Sequence, residues 1–324
     1  MARARRAAGV LLTLVLVAAV VAGVWLAVDR GVRPFLTPEE CVAEVDGERV
    51  TVSVEQAENA ALIAAVAESR GLPARAVTIA LATAYQESKI INIAHGDRDS
   101  LGLFQQRPSM GWGSEEEVMD PVYSINAFYD ALVKVHGYRD MEVTVAAQKV
   151  QRSAFPDAYA DHEADARVLA SALRGHSRAA FHCTIDGNPE TASADLKPNG
   201  LTERADVVRE ELVSVFGPQS LGGFEPRGVS SGHMKGSAHY SGRAVDIFFR
   251  PVNDENKRRG WAMAHYLVAM ADRLGIATVI FDDRIWHSGR RSGDGWRDYR
   301  VPRTSRGDRQ ILEHRDHVHV DVHA

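Results

Sequence analysis

Two short stretches far apart in the chain constrain this sequence more than anything else in it, because together they require convergence on one point. The first runs from Ser237 to Asp246 and holds His239, Gly242 and Ala244; the second holds Asp316, His317 and His319. Neutral imidazole nitrogen and carboxylate oxygen are the donors that suit a zinc ion, and a catalytic zinc needs three of them plus one open position. His239, Asp246 and His319 supply that number. Residues His317 to Val322 alternate strictly, which predicts a strand with both histidines on one side and Val318, Val320 and Val322 facing a core. The chain has 13 histidines, so an isolated pair would carry little weight. Two complementary halves carry more.

The pattern Ser237-x-His239-x-x-Gly242-x-Ala244-x-Asp246, followed by a terminal His317-x-His319, resembles the zinc peptidases of the D-alanyl-D-alanine carboxypeptidase type, a superfamily that includes lysostaphin-like enzymes and the Hedgehog domain. The resemblance covers residues 201–324. It implies a bound Zn2+ held by His239, Asp246 and His319, and an α+β domain with an antiparallel sheet. Such peptidases place a catalytic Glu three residues before the last His, and here that position is Asp316. On a continuous strand Asp316 would point away from the metal, so it can act only if the strand begins at or after His317. The expectation is Asp316 as base and His317 as stabiliser of the oxyanion, with the reverse assignment left open.

At the other end, Arg3, Arg5 and Arg6 precede an uncharged run from Ala7 to Val28. At about 1.5 Å per residue that run is long enough to cross a bilayer. It is longer than the apolar region of a cleaved signal peptide and lacks a small-x-small site. The expectation is a single-pass membrane helix over 1–30, with the arginines cytoplasmic and the domains extracellular; secretion after cleavage is the alternative. The two cysteines, Cys41 and Cys183, lack metal spacing and would pair in an oxidising compartment. A net charge of −5 with scattered arginines excludes nucleic acid as a partner.

From about Val52 the pattern is helical. Ser53 and Gln56 form a capping box, Gly71 and Pro73 end the first helix, and a second runs from Ala74 to Ser88. Glu87 falls at the edge of that helix's apolar face, where partial desolvation suits a general acid. The stretch Glu87-Ser88, a polar loop, then Gly102-Leu103-x-Gln105 is similar to lysozyme-like lytic transglycosylases. That resemblance implies Glu87 as acid/base and Gln105 as a substrate-positioning side chain, and Tyr159 falls near a tyrosine that many such enzymes use. Helices at 121–135 and 143–152 would complete an all-α lysozyme-like domain over 31–183. Asp97, Asp99 and Asp120 are candidates for a second carboxylate, and nothing in the sequence selects one.

Turn formers from Asp186 to Gly200 mark a linker over 184–200. The organisation expected is therefore multidomain: membrane helix, all-α domain, linker, and an α+β domain over 201–324. Both resemblances point to peptidoglycan, with glycan strands cut by the first domain and stem peptides or cross-links by the second. A non-catalytic wall-binding or scaffold protein is the alternative. The oligomeric state is not legible.

Overall fold

The first chain reversal is built from Asp46 and Gly47, whose φ values of 52° and 87° are those a two-residue hairpin turn needs. The turn joins β1 (Glu40–Val45) to β2 (Glu48–Val52). The structure, a computed structural model, describes residues 38–324 except 154, 156, 188 and 303–304. Ser53 then caps α1 (Val54–Ser69) through the expected box: its Oγ accepts from Gln56 N, and Gln56 Oε1 accepts from Ser53 N. Next come α2 (Ala74–Ser88), α3 (Glu115–Met119), α4 (Pro121–Leu132), α5 (Val143–Gln151) and α6 (Glu163–Leu173). The strand β3 (Phe181–Thr184) returns beside β1, giving a three-stranded antiparallel sheet in the order β2-β1-β3. Cys41 and Cys183 sit opposite one another on β1 and β3 and are disulfide-bonded.

The remainder contains α7 (Glu203–Phe216), β4 (Leu221–Gly222), β5 (Ala244–Phe248), α8 (Asp254–Ala269), α9 (Ala271–Leu274), β6 (Ile276–Phe281), β7 (Arg284–His287), β8 (Arg297–Asp298), α10 (Arg309–Leu312) and β9 (His317–Val322). The strands form one antiparallel sheet in the order β4-β5-β9-β6-β7-β8. The last strand in sequence thus lies near the middle of the sheet, with both edges paired. Val318, Val320 and Val322 are buried on the face covered by α8, as the alternation requires.

Helix α8 is apolar all round from Gly260 to Ala269 because it is packed on more than one side. It lies against β6 and β9 and also against α1 and α6. Glu68, largely buried at the end of α1, accepts from Arg174 Nε at 2.9 Å and from Arg258 Nη2 at 2.8 Å. Buried charges need such partners. The approach is close: a Cβ on Gly175 would meet the Arg258 carbonyl oxygen at 2.0 Å. Residues Glu40–Ala324 accordingly form one compact unit.

Two expectations are corrected. The 31–183 region is not all-α: β1, β2 and β3 add a sheet to its helices, so the fold mixes helices with antiparallel sheets throughout the described residues. The strands escape a periodicity reading because they are only four to six residues long and β3 pairs with a partner at the far end of that region. The membrane-spanning element and the single-pass localisation are also corrected. Among the described residues no helix is long and apolar enough to cross a membrane, and the run expected to do so, over 1–30, lies outside them.

Candidate functional site

Ser237 opens a short 3-10 turn, Ala238–Ser241, and Gly242 closes it in the left-handed region at φ 65°. The turn presents His239 to β5, whose third residue is Asp246. Across the adjacent strand, Asp246 is in register with His319. Three atoms meet there: His239 Nε2 lies 3.0 Å from His319 Nδ1, His319 Nδ1 lies 3.1 Å from Asp246 Oδ1, and His239 Nε2 lies 3.3 Å from Asp246 Oδ1.

The opposite face of each ring fixes its tautomer. His239 Nδ1 donates to the Gly223 carbonyl at 2.6 Å, and His319 Nε2 donates to Asp321 Oδ2 at 3.2 Å. With its outer nitrogen so engaged, each imidazole turns its inner nitrogen toward Asp246, the arrangement by which outer partners orient metal-binding histidines. Burial pushes His319 down, but the Asp246 and Asp321 carboxylates overcome it and raise it to about 9. Burial pushes Asp246 up, but the two imidazoles hold it far below the ordinary carboxylate range. Bonds of about 2.0 Å to one tetrahedral ion would set neighbouring donors about 3.3 Å apart, close to the spacing found, so the three residues fit zinc. Gly223 backs the site: a Cβ there would meet His239 Cε1 at 2.3 Å.

The strand β9 starts at His317, so Asp316 lies just outside it, as its use requires. Both of its oxygens are engaged: Oδ1 with His317 Nδ1 at 2.7 Å, and Oδ2 with Arg250 Nε at 2.7 Å. Burial pushes Asp316 up, yet His317 and Arg250 hold it below its ordinary value. The other nitrogen of His317, Nε2, faces the donor cluster at 3.9 Å from Asp246 Oδ1. A cleft of about 730 Å³ opens over this face, lined in part by Lys235, Phe248, Arg250, Tyr299 and Ile311.

Sequence reasoning passed over two further histidines at the site. His314, on the chain just before Asp316, is pushed down to about 3 by burial and by His317 and His319, and its ring lies 4.6 Å from that of His317. His233 stacks on His239 at 3.9 Å, and ligand atoms of His233, His239 and Asp246 all lie within 4.8 Å of one another. The one signal for His233 was its place in the glycine-dotted loop leading to His239.

The second expected site lies at the end of α2. Tyr159 Oη donates to Glu87 Oε1 at 2.6 Å. Burial first, and then Glu87, push the Tyr159 phenol well above its ordinary value, so it remains a donor. The helix stops abruptly after Ser88: Lys89 and Ile90 both take left-handed backbone, at φ 59° and 60°. For a β-branched residue that conformation is strained. Side chains of α1 hold it in place, since Gln56 Nε2 donates to the Lys89 carbonyl and Asn59 Nδ2 to that of Ile90, each at 2.8 Å. Ser88 Oγ donates to the Leu103 carbonyl at 2.7 Å, fixing the following loop beneath the helix end. Gln105 is folded onto that loop, with Nε2 3.3 Å from the carbonyls of His95 and Gly102. Asp99 is occupied by Ser109 N and Arg107 Nε, and Asp120 caps α4, while Asp97 is exposed.

Residues 197–310 match the model of a family described as VldE, C-terminal domain. Over that stretch the chain is similar to it. The match takes in His233, His239, Asp246 and Arg250, is less than half of the 324 residues, and ends before Asp316, His317 and His319. No curated protein matches the chain.

Proposed function

We propose that this chain cleaves peptidoglycan at two kinds of bond: stem peptides or cross-links at a zinc centre, and glycan strands at Glu87. The observation that carries the reading is the convergence of His239 Nε2, Asp246 Oδ1 and His319 Nδ1 within 3.0–3.3 Å, each imidazole tied behind so that its other nitrogen points inward. A bound zinc would polarise a peptide carbonyl and lower the pKa of water toward about 7.

The chain's own groups supply the proton handling. His317 Nε2 faces the donor cluster while its Nδ1 is paired with Asp316. That pairing supports His317 as the group that takes the proton of the attacking water and returns it to the leaving amine. Asp316, braced by Arg250, orients the ring and stabilises it when charged, as a carboxylate does behind a catalytic imidazole. At the sequence level Asp316 was the expected base; with both its oxygens engaged, it is better suited to the position behind. Arg250 and Lys235 border the cleft and suit a peptide carboxylate.

At the glycan site Glu87 gives its proton to the glycosidic oxygen as the bond to the sugar's anomeric carbon breaks. It then takes the proton of the same sugar's hydroxyl as that oxygen closes onto the carbon. No second carboxylate is needed, in keeping with the structural engagement of Asp99 and Asp120. Tyr159 steadies the Glu87 carboxyl through its 2.6 Å hydrogen bond.

Incubating the full chain with purified sacculi and identifying released muropeptides by mass spectrometry tests both halves. Anhydro ends identify the lytic cut, and shortened stems or opened cross-links identify the peptidase. Pelleting with the sacculi and no release would mean a wall-binding protein.

A further inference from the structure

The zinc centre proposed above uses three protein donors, and a further histidine lies beside them. We infer that His233 is a gating ligand: in the resting chain it closes the fourth position of the ion, and the loop that carries it must withdraw to admit substrate. The inference rests on the zinc reading and adds to it a residue and a state.

Geometry puts His233 at the centre. Its ligand atom lies within 4.8 Å of those of His239 and Asp246, and its ring is stacked on that of His239, 3.9 Å away at 24°, so a turn of the side chain off that face brings it to the ion. The backbone at His233 is held at both ends of its peptide groups by one side chain. His233 N donates to Tyr240 Oη at 3.1 Å, and Tyr240 Oη donates to the His233 carbonyl at 2.6 Å. Tyr240 follows His239 directly, so the loop is fastened to the liganding turn itself.

Apart from this fastening the loop is irregular. Residues 229–236 belong to no helix or strand, and Met234, next to His233, is 48% exposed. Gly232 and Gly236 flank the histidine with φ values of 93° and 83°. A Cβ at either would meet nothing within 4 Å, so packing does not require glycine there; backbone freedom does. A histidine in such a loop, outside every strand, can leave the centre without disturbing the sheet.

The chemistry gives the closed state its meaning. Four protein donors saturate a tetrahedral ion and make a structural site, whereas three leave a position for water and substrate. With His233 bound, the ion is retained and the centre is silent. With His233 withdrawn, the cleft and His317 reach the open position.

Zinc affinity of the full chain tests this, measured after metal removal by competition with a chromophoric chelator. His233→Ala should bind zinc about tenfold or more weakly than the unaltered chain, the scale seen when a supporting group of a metal site is lost. Equal affinity overturns the inference. His239→Ala is the control for the underlying reading and should abolish binding. If His239→Ala binds as tightly as the unaltered chain, the three-donor centre itself falls. If His239→Ala loses the ion and His233→Ala does not weaken it, the centre stands and only the fourth donor falls. A measurement without substitution guards against a loosened loop: on adding zinc to the unaltered, 15N-labelled chain, a ring nitrogen of His233 should shift as those of His239 and His319 do. No shift at His233 overturns the inference equally.

Discussion

Asp246 and His319 stand directly opposite one another on adjacent strands, and their facing atoms are 3.1 Å apart. The contact is set by the register of β5 against β9. A slip of one residue would turn every side chain of β9 to the other face, carrying His317 and His319 into the apolar core and the three valines to the cleft side. The sheet core and the donor cluster therefore specify the same register. On the proposed reading, one zinc binds per chain, and Asp246→Ala or His319→Ala should each reduce the bound metal to background by elemental analysis.

The pairing of Asp316 with His317 makes their roles separable. His317→Ala should keep its zinc and lose roughly 10²–10⁴-fold in peptide cleavage, the usual worth of a general base. Asp316→Asn also keeps the metal, with a smaller loss of about 10–10²-fold, because the ring keeps its place but loses its anionic partner. An Asp316→Asn loss as large as that of His317→Ala would return the base to Asp316.

For the glycan site, Glu87→Gln keeps the shape and removes the titrating proton. Anhydro-muropeptide release should fall by about 10²–10⁴-fold while the melting temperature stays nearly unchanged, because the side chain is only half-buried. Tyr159→Phe should retain part of the activity. Products with reducing ends from the unaltered chain would mean hydrolysis and a second carboxylate.

The Cys41–Cys183 bond joins residues 142 apart in sequence across β1 and β3. A free-thiol assay on the denatured, unreduced chain should read near zero. Replacing both cysteines with alanine should cost about 2–5 kcal/mol in urea unfolding, and a loss below 1 kcal/mol (roughly, by the same scale) would show that the β1–β3 pairing holds without it.

His265 gives a pH dependence remote from both sites. It is fully buried on α8, donates from Nδ1 to the Ala172 carbonyl at 2.7 Å, and is pushed by burial from 6.5 down to about 4. The unfolded chain thus takes up a proton between those values when the folded one does not. The stability linked to this group is present above pH 6.5 and is lost as pH falls toward 4, by about 3 kcal/mol. His265→Gln retains a donor for Ala172 and does not titrate. Its unfolding free energy should fall by that much less than the unaltered chain's between pH 7 and pH 4; parallel curves would contradict the assignment.

How far the sequence reaches is clearest at particular residues. The alternation from His317 to Val322 was enough to put both histidines on one face, and the Ser53–Gln56 box fixed the start of α1, because periodicity and capping are local properties of the chain. The cysteine pair followed from their number and setting. The hairpin at Asp46–Gly47 was also locally written, but its strands are too short for alternation to stand out.

What the sequence left open depends on where distant segments come to rest. Whether Asp316 faces the donor cluster or stands behind His317 turns on Arg250 reaching it from just past the end of β5 and on where β9 begins. His233 joins the cluster because the Tyr240 hydroxyl folds its loop back over His239. The end of α2 behind Glu87 is set by Gln56 and Asn59 on another helix, which hold Ile90 in a conformation its own side chain disfavours. Each of these is a long-range contact that overrides local preference, and only the tertiary structure supplies it.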